Sequence, residues 1–452
     1  MFEFADLILI KYRKQRIAWS LSFFFFGTPL IYFFRDGLGL AQSSKVFTAV
    51  FVFGSLFFAI PFKKLTTLYT YNLKLLYYII GYWVIALFYL AVYTPNRGWF
   101  TNTTSELVYA AVIFLAGLIF ATSSLDELLE YVLPASFWIC LLGSLGMIFI
   151  VIKNPNFALG MRASISFSED GSLTWGNPHI YGRSAYAGLI ASVLSMPAFK
   201  GNTRKMMLLY FGVVVNFAVI GLTQSFQTFI ALALFLAIYS YFQTTPTTTY
   251  RLLKWIFSWR GLLVLLFILW SIWYILYRTQ LVGTLTNVFN IIGGRFDKIF
   301  NLLSLQSAGP DMIVNKALPK QVDVSAMGRV ENIQSVWDGF IENVTNGEWW
   351  WILIGHGYQK LYVDCPLIQT LNDLGLLGFL AYFLLHVGIL QRSFREYRFK
   401  THDGILFFCY FIPHTFVQDL VFGMPYDFLR WSLFLFMARI LKPYVVAKPA
   451  AL

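Results

Sequence analysis

The strongest constraint on this chain is a repeated length. Apolar stretches recur from end to end, each close to the roughly 20 residues that an α-helix needs to cross a bilayer. Twelve such runs lie near residues 17–35, 46–62, 75–93, 105–122, 130–152, 180–199, 206–223, 226–243, 260–277, 366–390, 404–421 and 428–447. Composition agrees. The 452 residues are 58% apolar and only 12% charged, with a mean hydropathy of +0.64, against about 25% charged residues in a soluble domain. The pattern predicts an all-α, polytopic integral membrane protein of about twelve transmembrane helices. The net charge of +12 is spread over short clusters between apolar runs, with none of the modules that nucleic-acid binding requires. Cys140, Cys365 and Cys409 have neither metal-ligand spacing nor a disulfide framework.

Basic clusters alternate between the gaps. Lys11, Arg13, Lys14 and Arg16 precede the first run, Lys63 and Lys64 follow the second, and Lys200, Arg204 and Lys205 follow the sixth. Arg392, Arg395 and Arg398 follow the tenth, while DELLE after the fourth run breaks the pattern. By the positive-inside rule both termini are cytoplasmic and the long segment 278–362 lies on the trans side. The chain thus divides into 1–277 with runs one to nine and short loops, the large loop 278–362, and 363–452 with runs ten to twelve. KYRKQR has no small-residue cleavage site after it, so the first run reads as a retained helix. Runs seven and eight meet at GLTQS, as a helical hairpin or a partly re-entrant element.

A connection of about 85 residues is too long to be structureless in a compact domain. Within it, Val330, Ile333, Val336, Trp337 and Phe340 fall on one helical stripe, with Glu331, Asn332 and Asp338 off it. GEWWW at 347–351 suits an aromatic anchor at headgroup level.

The unusual polar residues concentrate on the trans side. Asn177, His179, Tyr181 and Arg183 lie at the mouth of the sixth run, and a helix places Arg183 on the face of His179, four residues before it. An arginine one turn inside a span faces a cavity, a counter-ion or a substrate, unless it snorkels to the interface. Arg162 and Arg329 come from separate trans segments, and guanidinium groups converging from such segments make the bidentate bonds that hold a pyrophosphate. If Asp364 starts or caps the helix that leads into the apolar part of run ten, Cys365, Gln369 and Asn372 recur at i, i+4 and i+7 and stack on one face, with Asp364 beside them at the entrance. They then line a trans-facing cavity. His386 reads as a helix-packing hydrogen-bonder, and Asp427 or Asp419 as an ion-pair partner of Arg430.

MRAS, GNPHIYGRSAYAGL, GRVENIQSVW, ILIGHGYQ and DCPLIQTLNDLGLLGFLAYF, in this order, resemble the O-antigen polymerase and ligase superfamily of bacterial membrane glycosyltransferases. The resemblance covers runs five to ten. It implies a GT-C-like fold with one large helical periplasmic loop, and an active site that takes an undecaprenyl-pyrophosphate-linked glycan with neither metal, cofactor nor nucleotide sugar. It also implies pyrophosphate-binding roles for Arg162, Arg183 and Arg329, and a multi-pass place in the inner membrane. Donor and acceptor glycans on lipid are then the partners, with a chain-length regulator and a flippase beside them. Ligases of this family usually carry a histidine followed by asparagine where this chain has Asp364 and Cys365, and often Ser-Arg-Gly where it has Ser225, Phe226 and Gln227.

These departures favour a Wzy-type polymerase joining lipid-linked repeat units with inversion. Asp364 and His179 are the candidate bases, and Asn177, Tyr181, Tyr358, Gln369 and Asn372 the candidate glycan contacts. A ligase acting on lipid A core is the near alternative. A lipid or glycan transporter is the second, against which stands the lack of an evident inverted repeat.

Overall fold

The computed structural model describes residues 12–42, 44–61, 73–92, 103–122, 129–153, 163, 178–223, 225–243, 324–398, 413, 417 and 423–440. Helix makes up 86% of the structure and no strand occurs among the described residues. Backbone groups are therefore paired within their own segments, as a bilayer demands.

The elements are α1 (Arg13–Phe26), α2 (Thr28–Gly37), α3 (Lys45–Ala59), α4 (Leu73–Val92), α5 (Thr103–Thr122), α6 (Leu129–Lys153), α7 (Pro178–Ser195), α8 (Thr203–Thr223), α9 (Phe226–Gln243), α10 (Val324–Thr345), α11 (Trp349–Ile354), α12 (Pro366–Arg398) and α13 (Phe428–Ile440). Ten of the twelve apolar runs fall on these elements; run nine and most of run eleven lie outside the described residues. Among the described residues, three segments can cross a membrane by length and composition: Tyr131–Lys153, Thr203–Thr223 and Pro366–Ile389. A fourth is added if α1 and α2 count as one bent span.

Two expected spans are not simple. The first run is broken, with α1 and α2 meeting at 69°. Pro29 has no amide to offer the carbonyl of Phe25 and its ring crowds it, so the helix ends at Gly27 and restarts. At the break the Ser184 hydroxyl donates to the carbonyl of Phe26 at 3.1 Å. Run ten is broken as well. Gly375 within α12 has φ 65° and ψ −167°, and the carbonyls of Asn372 and Asp373 turn to the amides of His356 (2.8 Å) and Gly357 (3.0 Å).

That exchange requires glycine at both crossing points. A Cβ on Gly375 would stand 2.4 Å from the Gly355 nitrogen, and one on Gly355 would stand 2.3 Å from the Gly375 nitrogen. Gly355 also has a positive φ, 77°, in a region that side-chain-bearing residues avoid.

The centre of the fold is α7, packed against α6, α8 and α9. Small residues let it in. A Cβ on Gly188 would meet Cys140 and Asn216, and one on Gly182 would meet Thr228 and Thr223. Asn216 is fully buried and bonds both Ser144 (2.7 Å) and the Gly212 carbonyl (2.8 Å), so its burial is satisfied. Apolar stripes face outward instead. Trp138, Leu142, Leu145, Phe149 and Ile152 on α6 are exposed at helical spacing, as are Leu377, Leu380, Leu384 and Val387 on α12. On a spanning helix such a stripe is the lipid-facing side.

Candidate functional site

Three charged groups converge between the start of α7 and the start of α13. Arg183 and Arg430 each approach Asp427 at 3.4 Å. Local structure places all three. Asp427 caps α13 through the amides of Leu429 (3.0 Å) and Arg430 (3.3 Å), and Arg430 follows by three residues, one turn on. Arg183 reaches across from the second turn of α7. Burial would raise the Asp427 carboxyl, but the two guanidinium groups and the two amides outweigh it and hold it below the usual carboxylate range. Ion pairing is thus the answer to what an arginine does inside the sixth run.

The cluster opens onto a cleft of about 30 Å³ walled by Phe25, Thr28, Pro29 and Leu433, room for only a few water molecules. Beside it, the Arg35 guanidinium lies 4.4 Å over the Tyr32 ring and pairs with Asp36. Tyr32 in turn meets Tyr181 edge-on at 6.4 Å. The bend between α1 and α2 thus forms one wall of the cluster.

His179, one turn before Arg183, has Nδ1 2.9 Å from the Ser225 hydroxyl in the turn between α8 and α9. Both lie near the mouth of α7, so the structure brings His179, Arg183, Asp427 and Arg430 to one end of the bundle.

The polar entrance of α12 is arranged differently from the expectation. Asp364 has φ 55° and lies outside the helix, and Cys365 takes the capping position, its carbonyl accepting from the Gln369 amide at 2.8 Å. The Asp364 carboxylate accepts from the Tyr362 hydroxyl at 2.9 Å, while its backbone carbonyl accepts from the Gly423 amide at 3.1 Å. Gly423 in turn lies against the Arg430 guanidinium, where a Cβ would overlap it. Asp364 is therefore tied to the arginine cluster through one residue.

Gln369 is fully buried and so does not line an open cavity. It faces Asp373, whose carboxylate also accepts from Asn372 (3.1 Å) and from the Gln359 amide (3.0 Å). Tyr358, expected to contact glycan, is fully enclosed. It donates to Glu106 at 2.8 Å and stacks on Tyr426 at 4.1 Å. Burial and the neighbouring Glu106 push its phenol well above the ordinary range. Tyr181 is likewise buried, at 2% exposure. In both cases the aromatic ring is a core side chain with a polar tip, and packing has claimed it.

Arg162 and Asn177 lie outside the described residues, and Arg329 falls within α10, with its side chain outside the description. Glu106 and Asp373 were missed from sequence. The available signal was an acid inside or beside an apolar run, which is costly enough to need a partner. Among the described residues no group of His, Cys, Asp and Glu is arranged to hold a metal ion.

No protein-family model matches the chain, and no curated protein or solved structure matches it significantly. The functional reading therefore rests on these residues and on the sequence motifs.

Proposed function

We infer that the chain is a polytopic membrane glycosyltransferase of the Wzy type, joining undecaprenyl-pyrophosphate-linked repeat units on the periplasmic side of the inner membrane. The reading includes the finer expectations of a GT-C-like bundle of about twelve spans, cytoplasmic termini and an inverting reaction. The observation that carries it is the approach of Arg183 and Arg430 to one carboxylate at the mouth of α7. These three residues hold two positive charges against one negative. A pyrophosphate that displaces or shares Asp427 would meet two forked guanidinium groups held on rigid helix ends.

In the reaction, the acceptor hydroxyl oxygen forms a bond to the donor's anomeric carbon as the bond from that carbon to the pyrophosphate oxygen breaks. The electron pair leaves with the pyrophosphate, and the arginines stabilise the charge as it develops. The hydroxyl proton passes to a nearby base, for which Asp364 and His179 are the candidates. Arg162 and Arg329 would add cationic groups from the loops.

The test is polymer formation in a strain lacking the chromosomal copy, supplied with wild type, Arg183→Lys or Arg430→Lys. Lysine keeps the charge and loses the fork, so loss of long polymer with normal protein accumulation supports the reading. Unchanged polymer length and amount in both variants overturns it. The deletion strain also separates polymerase from ligase. A single repeat on lipid A core marks a lost polymerase, whereas accumulated long lipid-linked polymer marks a lost ligase.

A further inference from the structure

Helix α10 has three faces, and the one packed on the protein is not its apolar one. Val336 and Asn343 are buried, with Asn332 and Gly339 half-buried on the same side. This side is fastened by polar bonds, from Asn332 to the Tyr362 carbonyl at 2.8 Å and between Asn343 and His356 at 3.2 Å. At about 100° per residue, a second face carries Trp337 (55% exposed), Ile341 (47%) and Val344 (39%). The third carries Glu331, Gln334, Asp338 and Glu342, all exposed. On α11, Trp349 and Trp350 are 61% and 63% exposed.

The depth of this apolar face is set by its attachment. Directly after α11, His356 and Gly357 hydrogen-bond to the carbonyls of Asn372 and Asp373 on α12. The outward apolar stripe of α12 starts at Leu377, four residues further along and just past the break at Gly375. The exposed tryptophans thus sit close to the level where the lipid-facing surface of a candidate span begins. Indole rings favour that level.

We propose that α10 and α11 are seated in the outer headgroup layer of the bilayer, with Trp337, Ile341, Trp349 and Trp350 inserted and the acidic third face turned to water. The occupant of the apolar face is lipid because the chain after α11 is fastened to α12 just before the outward apolar stripe of α12 begins. Between residues 331 and 354 there are four acids, Glu331, Asp338, Glu342 and Glu348, and no Lys or Arg. The seating is therefore hydrophobic and draws nothing from anionic headgroups. It is independent of the catalytic reading.

The experiment uses the full chain in phosphatidylcholine nanodiscs with Cys365→Ser and Cys409→Ser, the buried Cys140 retained. Nitroxide is attached at Ile341→Cys, Trp350→Cys or Glu342→Cys. Labels at 341 and 350 should collide with oxygen several-fold more than with a water-soluble nickel chelate, and the label at 342 should show the reverse. Adding phosphatidylglycerol should leave the pattern unchanged. Nickel access at 341 and 350 equal to that at 342 would mean that the face meets water and overturns the proposal. Low access to both reagents would mean that protein covers it and also overturns it. A second readout needs no label. Bromines on the upper acyl chain should quench wild-type fluorescence more than that of Trp349→Phe/Trp350→Phe, and equal fractional quenching counts against the seating.

Discussion

Replacing Gly375 with alanine tests the crossing that breaks α12. The new Cβ would lie 2.4 Å from the Gly355 nitrogen and 2.5 Å from the Leu353 carbonyl carbon and oxygen. These are backbone atoms with no rotamer to escape into, and ordinary contact begins near 3.5 Å. The two segments must part by about 1 Å, which stretches the bonds His356 N to Asn372 O (2.8 Å) and Gly357 N to Asp373 O (3.0 Å) beyond useful length. Holding alanine in this glycine-only conformation adds about 1–3 kcal/mol, and the two weakened bonds add about 0.5–1.5 kcal/mol each. The expected loss is about 2–6 kcal/mol.

Unfolding entropy near 2.1 cal/mol/K per residue makes 1 kcal/mol worth about 1 °C for a chain of this length. A melting curve of the detergent-purified protein should therefore fall by roughly 2–6 °C. Gly388→Ala, on the same helix with open space around it, is the control and should be neutral or slightly stabilising. Gly355→Ala should match Gly375→Ala, and the double variant should cost less than their sum, because one crossing is lost once. A Gly375→Ala protein that melts with the wild type would refute the reasoning.

Tyr358→Phe removes the hydroxyl donated to the enclosed Glu106 and should cost about 1–3 kcal/mol, measured in the same melt, with Tyr362→Phe as the half-exposed comparison. His356 is held below its ordinary range by burial and by Lys360, partly offset by the Asn372 carbonyl and Glu348. The unfolded chain then takes up the proton first, so stability rises with pH up to about 6.5 and is lost as pH falls below it; His356→Gln should flatten that slope between pH 5 and 7. Asp427 is depressed by Arg183 and Arg430 against its burial, so its contribution is complete above about pH 4 and fades as pH falls through the lower folded value. Asp427→Asn should destabilise by about 1–3 kcal/mol at pH 7, between the exposed and buried limits for an ion pair, and the gap to wild type should close under strong acid.

Element positions were legible because a bilayer-length apolar run is a local property. Runs four, five, seven and eight, at 105–122, 130–152, 206–223 and 226–243, lie within two or three residues of α5, α6, α8 and α9. The breaks were less legible. Pro29 marks the first in plain text, since a helix cannot run through it undisturbed. Gly375 does not, because its need for glycine comes from Gly355 twenty positions earlier, and only the fold brings the two together. The arginine cluster was half-readable. Arg183 stands out by its cost in a span, and the sequence offers Asp427 or Asp419 as the partner of Arg430. That all three meet depends on the start of α13 coming up to the start of α7. Tyr358 and Tyr181 misled because a phenol at the edge of a polar segment looks the same whether its tip faces a sugar or a buried carboxylate.

Helix α7 bears on how the protein is made. Arg183, His179 and its serines make it a poor candidate to enter lipid alone, since an ionisable side chain within a span is costly without a partner. Its neighbours α6 and α8 contain spans with mean hydropathy 2.3 and 2.1, comfortably self-inserting. In chain order α7 comes between these two, and its Gly182 and Gly188 fit closely against Thr223 and Thr228, and against Cys140 and Asn216, on the neighbouring helices. The helix that carries the charged cluster is thus the one whose delivery depends on the others, which couples correct assembly of the bundle to the presence of the site.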